Sequence, residues 1–400
     1  MALSAWAVAP GAAAAKGTAE ALAYVKARQG LDGGFAEPGA ASDTSTTCWA
    51  MLAGSAAGEQ VLAWSRGGET PLKYLESQSA SLVKLSDIEL FTLALASAGA
   101  DPRNFTGKDL VSLIESGVKS DGQIGSTVAE HCRGLLALAS AKAKPAAAST
   151  TWLLQHQRTD GGWGENDAVL VQDTALAVEA LVGLDMAEAS VVDPAMKLLR
   201  DKIGSDGGYG QKGVSNVDVT STVVQAICAT GQDPASEAWS FHGNSPAAYL
   251  ESMQAADGHY QYSKGTESQP AMTTATAVPA SAGKPFPLPT QAAAAAPVET
   301  KVHDLGTVGA GVTPGRQGES SARAQVPLTQ EESIVTSNTG GSASTTGGIG
   351  GLWLFLIMCA AYIAALAVAA LIAAKLYEPR AAIAGAPAVP APPDDSLPRA

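Results

Sequence analysis

Four aspartates in this chain stand at the openings of apolar runs: Asp43, Asp87, Asp173 and Asp218. A carboxylate in such a place has two uses. It can cap the free amides of a helix, or, held protonated in a closed site, it can act as a general acid. Four aromatic residues form a second set, Phe35, Trp163, Tyr209 and Tyr260, each three residues after the Asp of an Asp-Gly pair. If all eight gather at one concave end, they would line a shallow polar pocket for a small ligand or an exposed peptide. Their structural role would be capping and packing between neighbouring units, and the residues alone leave both readings open.

Metal chemistry has less to work with. Glu130-His131-Cys132 places three ligand types side by side, but consecutive helix residues point about 100° apart and cannot reach one ion. The cysteines, Cys48, Cys132, Cys228 and Cys359, form no Cys-x-x-Cys pair. At most one disulfide can form among the first three. No metal and no cofactor is expected. The net charge of −13 comes without a Lys/Arg cluster, which excludes nucleic acid as a partner because nothing is placed to neutralise phosphates.

The elements that position these residues repeat. The unit appears as QGLDGGF at 29–35, QRTDGGWG at 157–164, IGSDGGYG at 203–210 and QAADGHY at 254–260, with a weaker copy, SDGQIG, at 120–125. A degenerate place lies at Gln78–Leu85, where the Asp-Gly-Gly is lost. The spacing of roughly 40 to 50 residues is that of stacked or closed arrays. Strand patterning is absent, so helices remain.

Each unit has one grammar. An amphipathic helix comes first, as in Val192, Met196, Leu199 and Ile203 at i, i+4, i+7 and i+11. Its start is marked by a capping residue and proline at Thr70-Pro71, Asp193-Pro194 and Ser245-Pro246. A glycine turn follows, and then a second helix that is apolar nearly all round, opened by one of the four aspartates. AWSRGGETPLKYLES from Ala63 recurs as AWSFHGNSPAAYLES from Ala238, an echo of duplication. Six such pairs closing on themselves predict an all-α (α/α)6 toroid over residues 17–285, with an open solenoid as the alternative.

The flanks differ. Residues 1–16 are an apolar leader that reads as a truncated signal peptide. Residues 286–350 are rich in Pro, Ala, Ser, Thr and Gly and predict a disordered stalk. Within 351–375, the 23 residues from Leu352 to Ala374 carry no charge, Gly or Pro, and at ~1.5 Å per residue they span a bilayer core of about 30 Å. Lys375 and Arg380 follow that run and favour a cytoplasmic end, with 376–400 as a disordered tail. The expectation is a single-pass membrane protein of a bacterial cell with its N-terminal domain outside.

The Asp-Gly-Gly-aromatic-Gly turns and the Asp-Thr openings of the inner helices resemble the prenyltransferase/squalene-cyclase repeat superfamily, over about residues 17–285. That superfamily includes terpene cyclases, protein prenyltransferase β-subunits, thioester domains of complement-like proteins and cobalamin carriers. The resemblance implies the toroid and, for a cyclase, a protonated Asp in a D-x-D-D motif. Here the matching stretch is Asn216-Val217-Asp218-Val219, which keeps one carboxylate. The zinc site of the prenyltransferases has no counterpart. The thioester motif needs a Cys where Ala57 precedes Gly58-Glu59-Gln60. The reading that remains is a non-catalytic module binding a small ligand or a surface protein. A terpene-cyclase-like isomerase or lyase with Asp218 or Asp173 as acid is one alternative, and a corrinoid-capturing surface protein is another.

Overall fold

The computed structural model describes residues 17–166, 170–211 and 213–291. The leader, most of the stalk, the apolar run at 351–375 and the tail lie outside the described residues. Among the described residues no helix is long and apolar enough to cross a membrane.

Twelve α-helices are described: α1 (Thr18–Lys26), α2 (Thr44–Ala56), α3 (Pro71–Ser77), α4 (Leu85–Ala98), α5 (Leu110–Ser116), α6 (Val128–Ser140), α7 (Ala147–Gln155), α8 (Leu170–Gly183), α9 (Ala189–Asp201), α10 (Val217–Ala229), α11 (Pro246–Met253) and α12 (Pro270–Ser281). One short hairpin, Gly210–Gln211 against Val214–Ser215, is the sheet among the described residues. The even-numbered helices are built from Ala, Leu, Val and Thr and are buried on most sides. Small side chains let them approach closely: a Cβ on Gly134 of α6 would meet Glu89 Oε1 of α4 at 3.1 Å. The odd-numbered helices are amphipathic. In α9, Val192, Met196 and Leu199 are buried, while Lys197 and Asp201 pair in solvent at 2.6 Å.

Packing order follows chain order until the end, where it closes. α2 packs on α4, α4 on α6, α6 on α8, α8 on α10 and α10 on α12, and α12 packs back on α2. Four odd helices dock on the even helix before them: α3 on α2, α5 on α4, α9 on α8 and α11 on α10. α1, the first of the described helices, docks on α12. Specific bonds hold this seam. The Glu37 carboxylate accepts from the Ala271 and Met272 amides at 2.9 and 2.8 Å. Gln254 Nε2 donates to Gly17 O at 2.7 Å.

The turns explain the repeat. In each of five, an Asp Oδ1 accepts from the amide two residues on, at Gly34, Gln123, Gly162, Gly208 and His259. The glycine after that Asp lies in the left-handed region, as at Gly33 (φ 85°) and Gly258 (φ 95°), where side chains are strained. It also abuts the next outer helix. A Cβ on Gly33 would meet Thr70 O at 2.3 Å, and one on Gly258 would meet Glu20 O at 2.4 Å. The sixth turn therefore locks onto α1 in the same way the first locks onto α3.

Two sequence expectations need correction here. Thr70 and Ser245 do cap α3 and α11 through their hydroxyls, but Asp193-Pro194 lies inside α9, which begins at Ala189. The amides of Val191 and Val192 bond Glu188 O, so a full turn forms ahead of the proline. Residues 286–291, assigned by the expected boundary to the stalk, are packed on the domain. Phe286 and Leu288 are buried, because a Pro-rich segment with two large apolar side chains still has surface to lose to water.

The 175-residue echo marks equivalent packing. Trp64 and Trp239 are both buried, and their Nε1 atoms donate to Glu59 and Gln232, each at 3.0 Å. Each indole faces a cation of the preceding outer helix, Lys26 or Arg200, at 5.1 Å.

Candidate functional site

The even-numbered helices pack in a closed circuit, and every one has a carboxylate near its N-terminus. Asp43 is a true cap of α2, with Oδ1 2.8 Å from the Thr46 amide and Oδ2 2.6 Å from its hydroxyl. Glu130 completes a capping box with Thr127 on α6. Asp87, Asp173 and Asp218 are not caps, contrary to expectation. α4, α8 and α10 begin at Leu85, Leu170 and Val217, which places these aspartates in the first turn. At α10 the cap is Asn216, whose Oδ1 accepts from the Val219 amide at 2.9 Å. The side-chain amide competes for the same helix end and wins by position. α12 has no acidic residue in its first turn, and Glu37 supplies one from 234 positions away. Each helix N-terminus carries roughly half a positive charge, and one carboxylate there contributes about 0.3–1 kcal/mol.

The four turn aromatics are elsewhere. Phe35 and Trp163 are 0% exposed, and Tyr209 and Tyr260 are 1% exposed. They are wedges in the wall between inner and outer helices. Each backbone amide is taken by a threonine of the following inner helix: Phe35 by Thr47, Trp163 by Thr174, Tyr209 by Thr220 and Tyr260 by Thr274, at 2.9–3.0 Å. Thr174 stands in one of the Asp-Thr openings, but the bond that all four threonines make is a tertiary one. The signal that finds them is spacing: each lies 11 to 14 residues after its turn aromatic.

His131 fills the same role in the third unit. Its Nδ1 accepts from the Ile124 amide at 2.9 Å, so the proton is on Nε2, which donates to Ser149 O at 3.1 Å. Burial holds its pKa down to about 4, against the pull of the Ser149 carbonyl. With both nitrogens engaged, it is a neutral structural histidine. Burial also raises the Cys132 thiol well above its usual range. Cys48, Cys132 and Cys228 are all free, and among the described residues no group of three or more ligating side chains surrounds a metal position.

Half-buried stripes run along four of the even-numbered helices. Ser45 and Trp49 on α2, Ala129 and Arg133 on α6, Asp218 and Thr222 on α10, and Met272 and Thr276 on α12 are each partly exposed at i and i+4. Thr276 donates to Asp218 Oδ1 at 3.3 Å across the α10–α12 seam. Burial raises Asp218, and the Thr276 bond acts the other way. Burial pushes Asp173 up to about 6, opposed by the Arg133 guanidinium and aided by Glu165. A carboxyl in that range exchanges its proton near neutrality. Neither aspartate is raised by a second carboxylate bonded to it.

The opposite end is closed by the chain itself. Gln225 Nε2 donates to Lys284 O at 3.3 Å, and the Phe286 amide donates to Glu179 at 3.1 Å. The Phe286 ring lies 6.1 Å from that of Trp49. The Gln291 amide reaches Ser97 O at 3.3 Å, and its side chain bonds Glu59 O. Two buried acids sit in the inner helices. Glu179 is pushed by burial up to about 8, against its bond from Phe286. Glu89 is likewise pushed up to about 8, with both oxygens lacking a hydrogen-bond partner.

No protein-family model matches the chain, and no curated protein does. Solved structures do. A protein from Actinoplanes is 15% identical, with a TM-score of 0.50 over 67% of this chain and 98% of its own. An apo type II terpene cyclase from Scytonema is 14% identical, with a TM-score of 0.49 over 66% of this chain and 96% of its own. The ent-copalyl diphosphate synthase from Streptomyces platensis is 18% identical, with a TM-score of 0.42 over 60% of this chain, which spans half of that enzyme's length. The likeness to the Actinoplanes protein is one of fold alone, and the chemistry of this domain has to be read from its own residues.

Proposed function

We propose that the closed circuit of helix pairs is an (α/α)6 toroid acting as a non-catalytic binding module, held outside a bacterial membrane by the apolar run at 351–375. The mouth at the inner-helix N-termini is its binding face, for a small polar ligand or a surface protein. One observation carries this reading. The four turn aromatics are locked in the wall, and the open stripes present Arg133, Asp218, Thr222 and Thr276, with Trp49 as their aromatic member. A site of this kind recognises polar groups. It offers little to a hydrocarbon chain.

Asp173 favours a second reading, because a carboxyl that is 5% exposed and raised to about 6 is a usable general acid. A cyclase-like isomerase or lyase would employ it, with Asp218 beside the same mouth. Full-length protein incubated with polyprenyl diphosphates decides between the two. The binding module gives no turnover. Product formation that is lost in Asp173→Asn or Asp218→Asn would overturn it. Corrinoid capture is checked in the same preparation by a shift in the visible spectrum of added cobalamin, and the proposed module gives none.

A further inference from the structure

Residues 284–291 make a path that a linker has no reason to take. In a circuit of six, α8 stands opposite α2, and α10 stands opposite α4. The segment touches both members of both pairs: Gln225 of α10, Glu179 of α8, Trp49 of α2 and Ser97 of α4. It therefore crosses the end of the ring along its diameter. Three of its eight residues are prolines, so it has few amides to satisfy and cannot extend α12. Gly183 makes room for it, since a Cβ there would meet Pro287 Cδ at 2.5 Å. The deepest of its amides, at Phe286, is given to a carboxyl that is otherwise enclosed by apolar wall.

That pairing ties the segment to a proton. Glu179 is 1% exposed with the segment seated, and with the segment lifted its carboxyl would face the open end of the ring and water. We propose that residues 284–291 are a proton-coupled strap that closes the floor of the helix ring, with Glu179 as its latch. The groups around the latch are thiols: Cys132 on α6 and Cys228 on α10, both raised by burial and neutral near pH 7. Glu89 and Asp173 act on the same Cys132, while the strap's own cation, Lys284, points to solvent.

The sign follows from linkage. The seated strap holds Glu179 raised by burial, and the lifted strap returns it to the ordinary carboxylate range. Seating then takes up a proton between those values, is fully favoured below the lower one and is weakened as pH rises through the upper one. One proton sets a ceiling of about tenfold in the seated-to-lifted ratio per pH unit. Acid closes the floor. Mild alkali lets it lift, uncovering Trp49 and freeing eight residues of chain.

Amide hydrogen exchange on the full-length protein between pH 5 and pH 8 tests this. After correction for intrinsic rates, protection of peptides covering 284–291 should fall by up to about tenfold per pH unit, while α4 and α10 stay protected. In Glu179→Gln, which keeps an acceptor for the Phe286 amide, the strap's protection should not vary with pH. Flat protection in the unmodified protein, the same slope in Glu179→Gln, or loss of strap and α8 together would each overturn the proposal. Should that variant not fold, nitrogen-labelled phenylalanine in the unmodified protein decides. The Phe286 amide shift should titrate well above the usual carboxylate range, and a midpoint within that range, or no titration, overturns the latch.

Discussion

The two ends of the helix ring are finished by different physics. At the mouth, six helix N-termini are met by Asp43, Asp87, Glu130, Asp173, Asp218 and the imported Glu37. These are charge–dipole contacts, each small and weakened by salt. At the floor, Phe286 and Leu288 are buried across the ring. That closure rests on apolar burial, which is larger per residue and indifferent to salt. The floor is either shut or open.

The largest expected effect tests the floor. Phe286→Ala should destabilise the domain by about 3 kcal/mol, the usual cost of removing a buried phenyl ring, read from the midpoint of a denaturant titration. A loss below about 1 kcal/mol would mean that the strap closes nothing. Next comes the wall below the mouth. Thr174→Val keeps the side-chain volume and strands the Trp163 amide, for a loss of about 2 kcal/mol. The same change at Thr222, whose hydroxyl serves only its own helix at Asp218 O, should cost well under half as much.

Glu37→Ala probes the seam. It leaves two amides of α12 without their acceptor and should cost about 1 kcal/mol, with faster hydrogen exchange confined to α1 and the start of α12. The smallest effect belongs to the mouth itself. Asp218→Asn should shift stability by no more than about 0.5 kcal/mol at neutral pH, because the amide still accepts from Thr276. A separate pH signature distinguishes Asp173. Its pKa is raised on folding, so its contribution is present below about pH 4 and is lost as pH rises through about 6. Asp173→Asn should remove that decline from the stability profile.

Much of the architecture could be read from local pattern. The Asp-Gly spacing located five turns, and Thr70-Pro71 and Ser245-Pro246 marked helix starts that the structure keeps. Asp193-Pro194 misled, because a proline after a capping residue looks the same whether or not a turn forms ahead of it. The three aspartates misread as caps failed for a related reason. These helices start two to four residues earlier than a capping Asp would allow, and at α10 Asn216 supplies the cap instead. The aromatics Phe35, Trp163, Tyr209 and Tyr260 carried the repeat signal and suggested a site, yet a buried wedge and a binding aromatic share one residue type.

The sequence by itself determined the units: helix pairs of set length, the glycine turn joining each pair, and the degenerate second turn. Those features depend on neighbours within a few residues, where period and capping suffice. Tertiary structure alone decided that α12 returns to α2, that Glu37 serves a helix 234 residues away, and that 284–291 cross the ring to Glu179. Each depends on the rotation accumulated over six pairs. A small angle per unit decides between an open array and a closed one, and no single unit records the sum.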